Sequence, residues 1–70
     1  MDGSVFKLID LTGTSATSIE DAVKVAIAEA SKTVRNMSWF EVTETRGAIS
    51  NGRIAEWQVT LKIGFRIETQ

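Results

Sequence analysis

Ser50-Asn51-Gly52-Arg53 joins two alternating runs, Trp39-Phe40-Glu41-Val42-Thr43-Glu44-Thr45-Arg46-Gly47 before it and Ile54-Ala55-Glu56-Trp57-Gln58-Val59-Thr60-Leu61-Lys62-Ile63-Gly64-Phe65-Arg66 after it. Asn-Gly between alternating apolar residues is the strongest short-range hairpin signal. The spacing predicts a strand over about 38–49, a tight turn, and a third strand over 54–68. In the third strand Ala55, Trp57, Val59, Leu61, Ile63, Phe65 and Ile67 share one face. Glu56, Gln58, Thr60, Lys62, Gly64, Arg66 and Glu68 share the other, because side chains alternate across a strand.

A two-residue turn pairs Ser50 with Arg53. Counting back, Phe40 faces Ile63 and Val42 faces Leu61. Both pairs are apolar and are expected in the core, which supports the register. The same count sets Trp39 opposite Gly64 and Thr45 opposite Gln58, so Trp39 and Gln58 lie on the face away from the core. It also gives Arg46 the core-side parity. A Trp opposite a Gly has room above its ring, to be filled by a neighbouring subunit or by a flat heterocycle. Trp39 and Gln58 are six residues apart along the ladder, roughly 20 Å at normal strand rise. One small ligand touching both must therefore take them from different subunits.

Upstream, a strand is expected over 5–11, with Val5, Lys7, Ile9 and Leu11 on one face and Phe6, Leu8 and Asp10 on the other. Both faces are largely apolar, so cover on both sides is expected. Thr12-Gly13-Thr14-Ser15 reads as a flexible turn. Ser18 caps a helix, with Asp21 three residues on as a variant of the capping box. Ile19, Ala22, Val23, Ala26, Ile27, Ala30 and Val34 follow the spacing of one helical face, and Lys32 and Arg35 suit its C-terminal end. The expected architecture is a single α+β domain over residues 1–70. It has a three-stranded antiparallel sheet packed on one helix in the order β-α-β-β. The helix makes a right-handed crossover, and the third strand lies in the middle.

The chain is short for a core that stands alone. With no Cys and no His, neither disulfides nor a conventional zinc site can reinforce it, which leaves self-association. Net charge is −1 with the signs interspersed, so no basic stripe is available to track a nucleic acid backbone. No apolar run reaches membrane-spanning length. Met1-Asp2-Gly3-Ser4 does not read as a signal peptide, so a cytoplasmic location is expected. The lack of His, Cys and a convergent carboxylate pair offers no catalytic constellation, and no enzyme is expected.

Trp39-Phe40-Glu41-Val42, Thr45-Arg46-Gly47, the Asn51-Gly52 turn, Trp57-Gln58-Val59 and Gly64-Phe65-Arg66 together resemble the dodecins. Leu11-Thr12-Gly13-Thr14-Ser15 and Ala30-Ser31-Lys32-Thr33 extend the likeness over nearly the whole chain. Each piece is short, and their order and spacing carry the match. The resemblance implies a flavin-binding protein that assembles into a hollow particle of twelve identical subunits. Flavins would stack in pairs between aromatic side chains of two protomers. It implies that Trp39 is the stacking residue and that Gln58 bonds the pyrimidine-like edge of the isoalloxazine. Arg46 and Arg66 match arginines of the bacterial branch. That branch favours FMN over riboflavin or FAD, and some members also bind coenzyme A at another intersubunit site. Arg46 has an alternative role in a salt bridge with Glu44, and Arg66 in an interface ion pair. The function implied is flavin storage with quenching of its photochemistry. The alternatives are a structural assembly without flavin and a coenzyme A-binding particle.

Overall fold

The computed structural model describes residues 3–68, so the expectation drawn from Met1 and Asp2 lies outside the described residues. The chain runs β1 (Phe6–Ser15), α1 (Ile19–Ala30), β2 (Met37–Ser50) and β3 (Arg53–Arg66). The strands form one antiparallel sheet in the order β1-β3-β2, with β3 central as the topology argument requires.

The Asn51-Gly52 turn has φ of 53° at Asn51 and 74° at Gly52, the left-handed pair that matches the twist of a two-residue hairpin. Ser50 pairs with Arg53, Val42 with Leu61, Phe40 with Ile63 and Trp39 with Gly64, all as counted from the sequence. The middle of the hairpin differs. Thr45 pairs with Val59, and Arg46 takes the place opposite Gln58. Two bulges explain this. One adds Ala55 on β3 between the Ile49–Ile54 and Ala48–Glu56 pairs; the other adds Thr43 on β2 between the Val42–Leu61 and Glu44–Thr60 pairs. The second cancels the first, so the register shifts by one residue only between them. The Thr43 hydroxyl ties its bulge down by donating to the Thr60 carbonyl at 3.2 Å.

Strand β1 continues through the segment expected to be a turn. Thr12, Gly13, Thr14 and Ser15 pair with Thr60, Val59, Gln58 and Trp57. Gly13 is a contact device rather than a hinge. A Cβ there would overlap the Ala22 carbonyl oxygen and lie 2.9 Å from the Ala26 Cβ, so only glycine lets α1 settle onto the strand.

Ser18 is the N-cap, its hydroxyl accepting from the Asp21 amide at 2.9 Å. The reciprocal arm of the capping box is diverted. Ser15 Oγ accepts from the Thr17 and Ser18 amides and donates to Asp21 Oδ2 at 2.7 Å, so a buried serine of β1 stands between carboxylate and backbone. The helix ends at Ala30, earlier than the apolar spacing to Val34 suggests, and its last turn holds no basic residue. Lys32 and Arg35 lie beyond it, where Asn36 at φ 63° redirects the chain into β2.

Ala22, Val23, Ala26 and Ala30 close on Val59, Leu61 and Ile63, with Ile9, Leu11, Ile27 and Met37 around them. Val59, Leu61 and Ile63 are at most 1% exposed. The helix lies over β1 and β3 and stops short of β2. Phe40 and Val42 therefore point to the helix side, as read from the pattern, but are not buried: Phe40 is 48% exposed. A groove of about 230 Å³ lined by Ile27, Met37, Phe40 and Ile63 marks where cover ends.

The molecule measures 57 × 21 × 13 Å, because the hairpin runs on past β1 and the helix. Its radius of gyration is 14.7 Å, where a closed domain of this length has about 11 Å. Its surface is 5235 Å², where a compact monomer of this mass exposes about 4,300 Å². The single chain leaves apolar surface uncovered on both faces of its sheet.

Candidate functional site

The face of the sheet away from α1 carries a graded row of side chains. At one end Leu8, Gly64 and Trp39 lie abreast, with Phe6 and Arg66 one step beyond. Asp10, Lys62 and Glu41 follow, with Lys62 Nζ 3.3 Å from Asp10 Oδ1. Next come Thr12, Thr60 and Glu44, the two threonine hydroxyls 2.8 Å apart. At the far end stand Thr14, Gln58 and Arg46.

Trp39 lies down on the sheet. A Cβ added to Gly64 would fall within its indole, overlapping Cζ2 and Cε2 and 2.7 Å from Cη2. The space that glycine leaves is thus occupied by the tryptophan of the same chain, not held open for a second ring. The consequence is a fixed platform. The inner face of the indole rests on Gly64, the ring of Phe6 tilts against it at 54° with centroids 4.9 Å apart, and Trp39 remains 45% exposed. A flat aromatic that lies on its own backbone offers its free face to anything planar that comes from outside.

Gln58 is half-buried and held at both ends of its amide. Arg46 Nε donates to Gln58 Oε1 at 2.8 Å, and Gln58 Nε2 donates to Glu56 Oε2 at 2.9 Å. Arg46 Nη1 in turn binds Glu44 Oε1, which is the salt bridge weighed from the sequence. The face of Arg46 is a correction: the simple count assigned it core-side parity, and the bulges at Ala55 and Thr43 bring it to the open face beside Gln58. Arg66 stands at the Trp39 end, opposite Phe6.

The four residues singled out from the sequence therefore fall on one face as two pairs. Trp39 and Arg66 are at one end; Arg46 and Gln58 are at the other, six residues along β3 and roughly 20 Å away. Sequence reasoning missed two participants. Phe6 was grouped with Leu8 and Asp10 on one face of the first strand without being linked to Trp39; the structure pairs it with Arg66. Glu56 was noted only as a polar-face residue, and its place two residues before Gln58 on the same face was the clue.

A sequence model of the dodecin family matches residues 5–68. The chain belongs to the dodecin family. It is 47% identical over 66 residues to a dodecin from Thermus thermophilus, covering 94% of this chain and 96% of that one. Among solved structures, the dodecin of Streptomyces coelicolor superposes with a TM-score of 0.93 at 43% identity, each chain covered in full. The dodecin of Streptomyces davaonensis gives 0.92 at 41% identity over 97% of this chain and all of that one. The antiparallel sheet and single helix of this chain are thus the dodecin fold. Among the described residues no helix is long and apolar enough to cross a membrane.

Proposed function

We propose that this dodecin-family chain binds flavin at contacts between copies of itself in a homododecamer, and that it stores the flavin and quenches its photochemistry. The observation that carries the reading is the Trp39 platform, an indole laid on Gly64 and still 45% exposed, on the face of the sheet away from α1. An isoalloxazine is a flat, polarisable ring of the kind that stacks on indole. The roughly 20 Å between Trp39 and Gln58 supports a shared site. Trp39 and Arg66 of one protomer meet the ligand that Gln58 and Arg46 of another reach. Uncovered apolar side chains on both faces of the sheet, Phe6 and Leu8 on one and Phe40 and Val42 on the other, supply surface for the assembly.

Each residue has a distinct task in this reading. Trp39 provides stacking area and, as a ready electron donor beside an excited flavin, a route for quenching. Gln58 presents an acceptor and a donor in one plane to the imide edge. Arg46 and Arg66 supply cations, which favour the phosphorylated flavin FMN over riboflavin. The chain has neither His nor Cys, and this reading asks of it binding and protection rather than turnover.

Titrating FMN with the protein tests the reading. Emission should fall as protein is added, and Trp39→Ala should abolish most of that fall. A variant that quenches as fully as the parent overturns the assignment of Trp39, and a parent that leaves FMN emission unchanged overturns flavin binding.

Coenzyme A is the second reading, favoured by a cleft of about 490 Å³ beyond the helix C-terminus whose lining includes Lys7, Arg35 and Arg66, cations suited to phosphates. Glu68, 3.9 Å from Arg35, competes there. Calorimetric titration with coenzyme A distinguishes the two, since heat from coenzyme A that is unaffected by Trp39→Ala would place it at a separate site.

A further inference from the structure

Gln58 sits between opposite charges. Its Oε1 accepts from the Arg46 guanidinium and its Nε2 donates to the Glu56 carboxylate. An amide can be turned over by rotating its terminal bond, and its hydrogen-bond partners decide between the two orientations. Here they differ greatly. Turned over, the amide would aim two N–H donors at a guanidinium and an acceptor at a carboxylate, losing both charge-assisted bonds and gaining two repulsions.

We propose that Glu56 is a positioning residue for Gln58: with Arg46 it locks the direction of the amide and so fixes which end of the glutamine meets the donor of an incoming imide. The inference rests on the flavin reading given above and deepens it. Arg46 alone does not suffice, because a guanidinium donates to the amide oxygen from several angles and leaves Nε2 undirected. The carboxylate of Glu56 engages the other end, and two anchors define the plane of the amide as well as its direction.

The local structure explains why Glu56 can do this. Glu56 and Gln58 are two apart on β3 and share its open face. The bulge at Ala55 immediately precedes Glu56 and sets Ala48 opposite it, a small side chain that leaves the carboxylate room to bend toward Gln58. Without the bulge Ala48 would fall opposite Ala55, and Arg46 would lose its place beside Gln58. One extra residue thus brings Arg46 to the amide beside which Glu56 already stands, two residues away on the same strand face. Each end of the amide also keeps capacity: Oε1 has a second lone pair and Nε2 a second hydrogen. An acceptor and a donor therefore remain for a ligand edge while the lock stays closed.

The test uses lumiflavin, which is the ring system without side chain or phosphate, and 3-methyllumiflavin, in which the imide N–H is replaced. Both stack equally well, so the ratio of their dissociation constants reports the edge contact alone. The parent should prefer lumiflavin by about three- to tenfold, the value of one well-placed hydrogen bond. Glu56→Ala should bring the ratio close to one by weakening lumiflavin binding, with 3-methyllumiflavin little changed. Glu56→Gln, which retains an acceptor oxygen without the charge, should restore part of the preference. A purely structural role for Glu56 would weaken both ligands together, and that result overturns the inference. So does a variant with the parent's ratio. If the parent binds neither ring, the flavin reading fails and this inference with it, whereas binding with an unchanged ratio removes only the lock.

Discussion

The two faces of β3 are built from alternate residues of one strand, and they differ in almost every property. Val59, Leu61 and Ile63 are sealed under α1, whereas Gln58, Thr60, Lys62 and Gly64 lie along an uncovered face with Trp39 resting at its end. The closed face is apolar, and shape complementarity decides its energy. On the open face, apolar area is concentrated at one end and hydrogen-bonding groups at the other. The contrast teaches that folding and recognition are separated by a single step along the chain. From Glu56 to Arg66, beyond the bulge, a residue number on β3, odd or even, says which of the two a substitution should disturb.

Leu61→Ala should show the largest effect on stability. Leu61 is completely buried in the middle of the closed face, and its removal leaves a cavity that the surrounding alanines of the helix cannot fill. A loss of about 3 kcal/mol in a denaturant titration is expected, a large share of the stability of a 70-residue chain. A loss below about 1 kcal/mol would mean that the closed face does not carry the fold. Gly13→Ala attacks the same face from the other side. Its new Cβ must push α1 off β1, because it meets a backbone carbonyl rather than a mobile side chain. About 2 kcal/mol is expected, with the midpoint falling and the slope unchanged.

Gly64→Ala crosses to the open face and separates the two roles. The Cβ displaces the indole of Trp39, whose side chain can rotate away, so the cost should be about 1 kcal/mol. FMN quenching should nevertheless fall nearly as far as in Trp39→Ala, since the platform is gone although the tryptophan is present. Full quenching by Gly64→Ala would show that the resting place of the ring on Gly64 is incidental. Unfolding followed by circular dichroism and quenching followed by emission, on the same sample, give the two numbers.

How much of this was legible in the sequence depends on what set each feature. The Asn51-Gly52 turn, the central place of β3 and the pairs Phe40–Ile63 and Trp39–Gly64 follow from local chemistry and alternation, both written in the chain. The Arg46–Gln58 pairing was not legible. The bulges at Ala55 and Thr43 cancel, so a count that is right at both ends hides an error between them. Neither bulge carries a glycine to betray it. Thr12-Gly13-Thr14-Ser15 has the composition of a turn, and its extended structure comes from the approach of α1 to Gly13, a tertiary demand. For Phe40 and Val42 alternation predicted the side of the sheet correctly but not the cover, because the reach of a helix across a sheet is not a property of the strand. Of the candidate site, the common face of Trp39, Gln58 and Arg66 was legible, and the parity of Arg46 was not. The contribution of Glu56 needed side-chain positions.

The smallest expected effect is at the centre of the open face. Thr12 and Thr60 join β1 to β3 through hydroxyls 2.8 Å apart, both on the uncovered side. Thr12→Val retains the branched shape that suits a strand and removes only the hydroxyl. In an isolated chain, water replaces the lost partner of Thr60, so the cost should be about 0.5 kcal/mol. In an assembled particle the same substitution reports on cover. If another protomer closes over this face and excludes water, the Thr60 hydroxyl is left without a partner and the cost rises to about 1–3 kcal/mol. Measuring Thr12→Val in the intact assembly, and again in a background dissociated by Phe40→Lys, therefore tests whether the open face stays open. Equal small losses would show that water reaches this row in both states, and that on this face the contact between copies is confined to the two ends, at Trp39 and at Gln58.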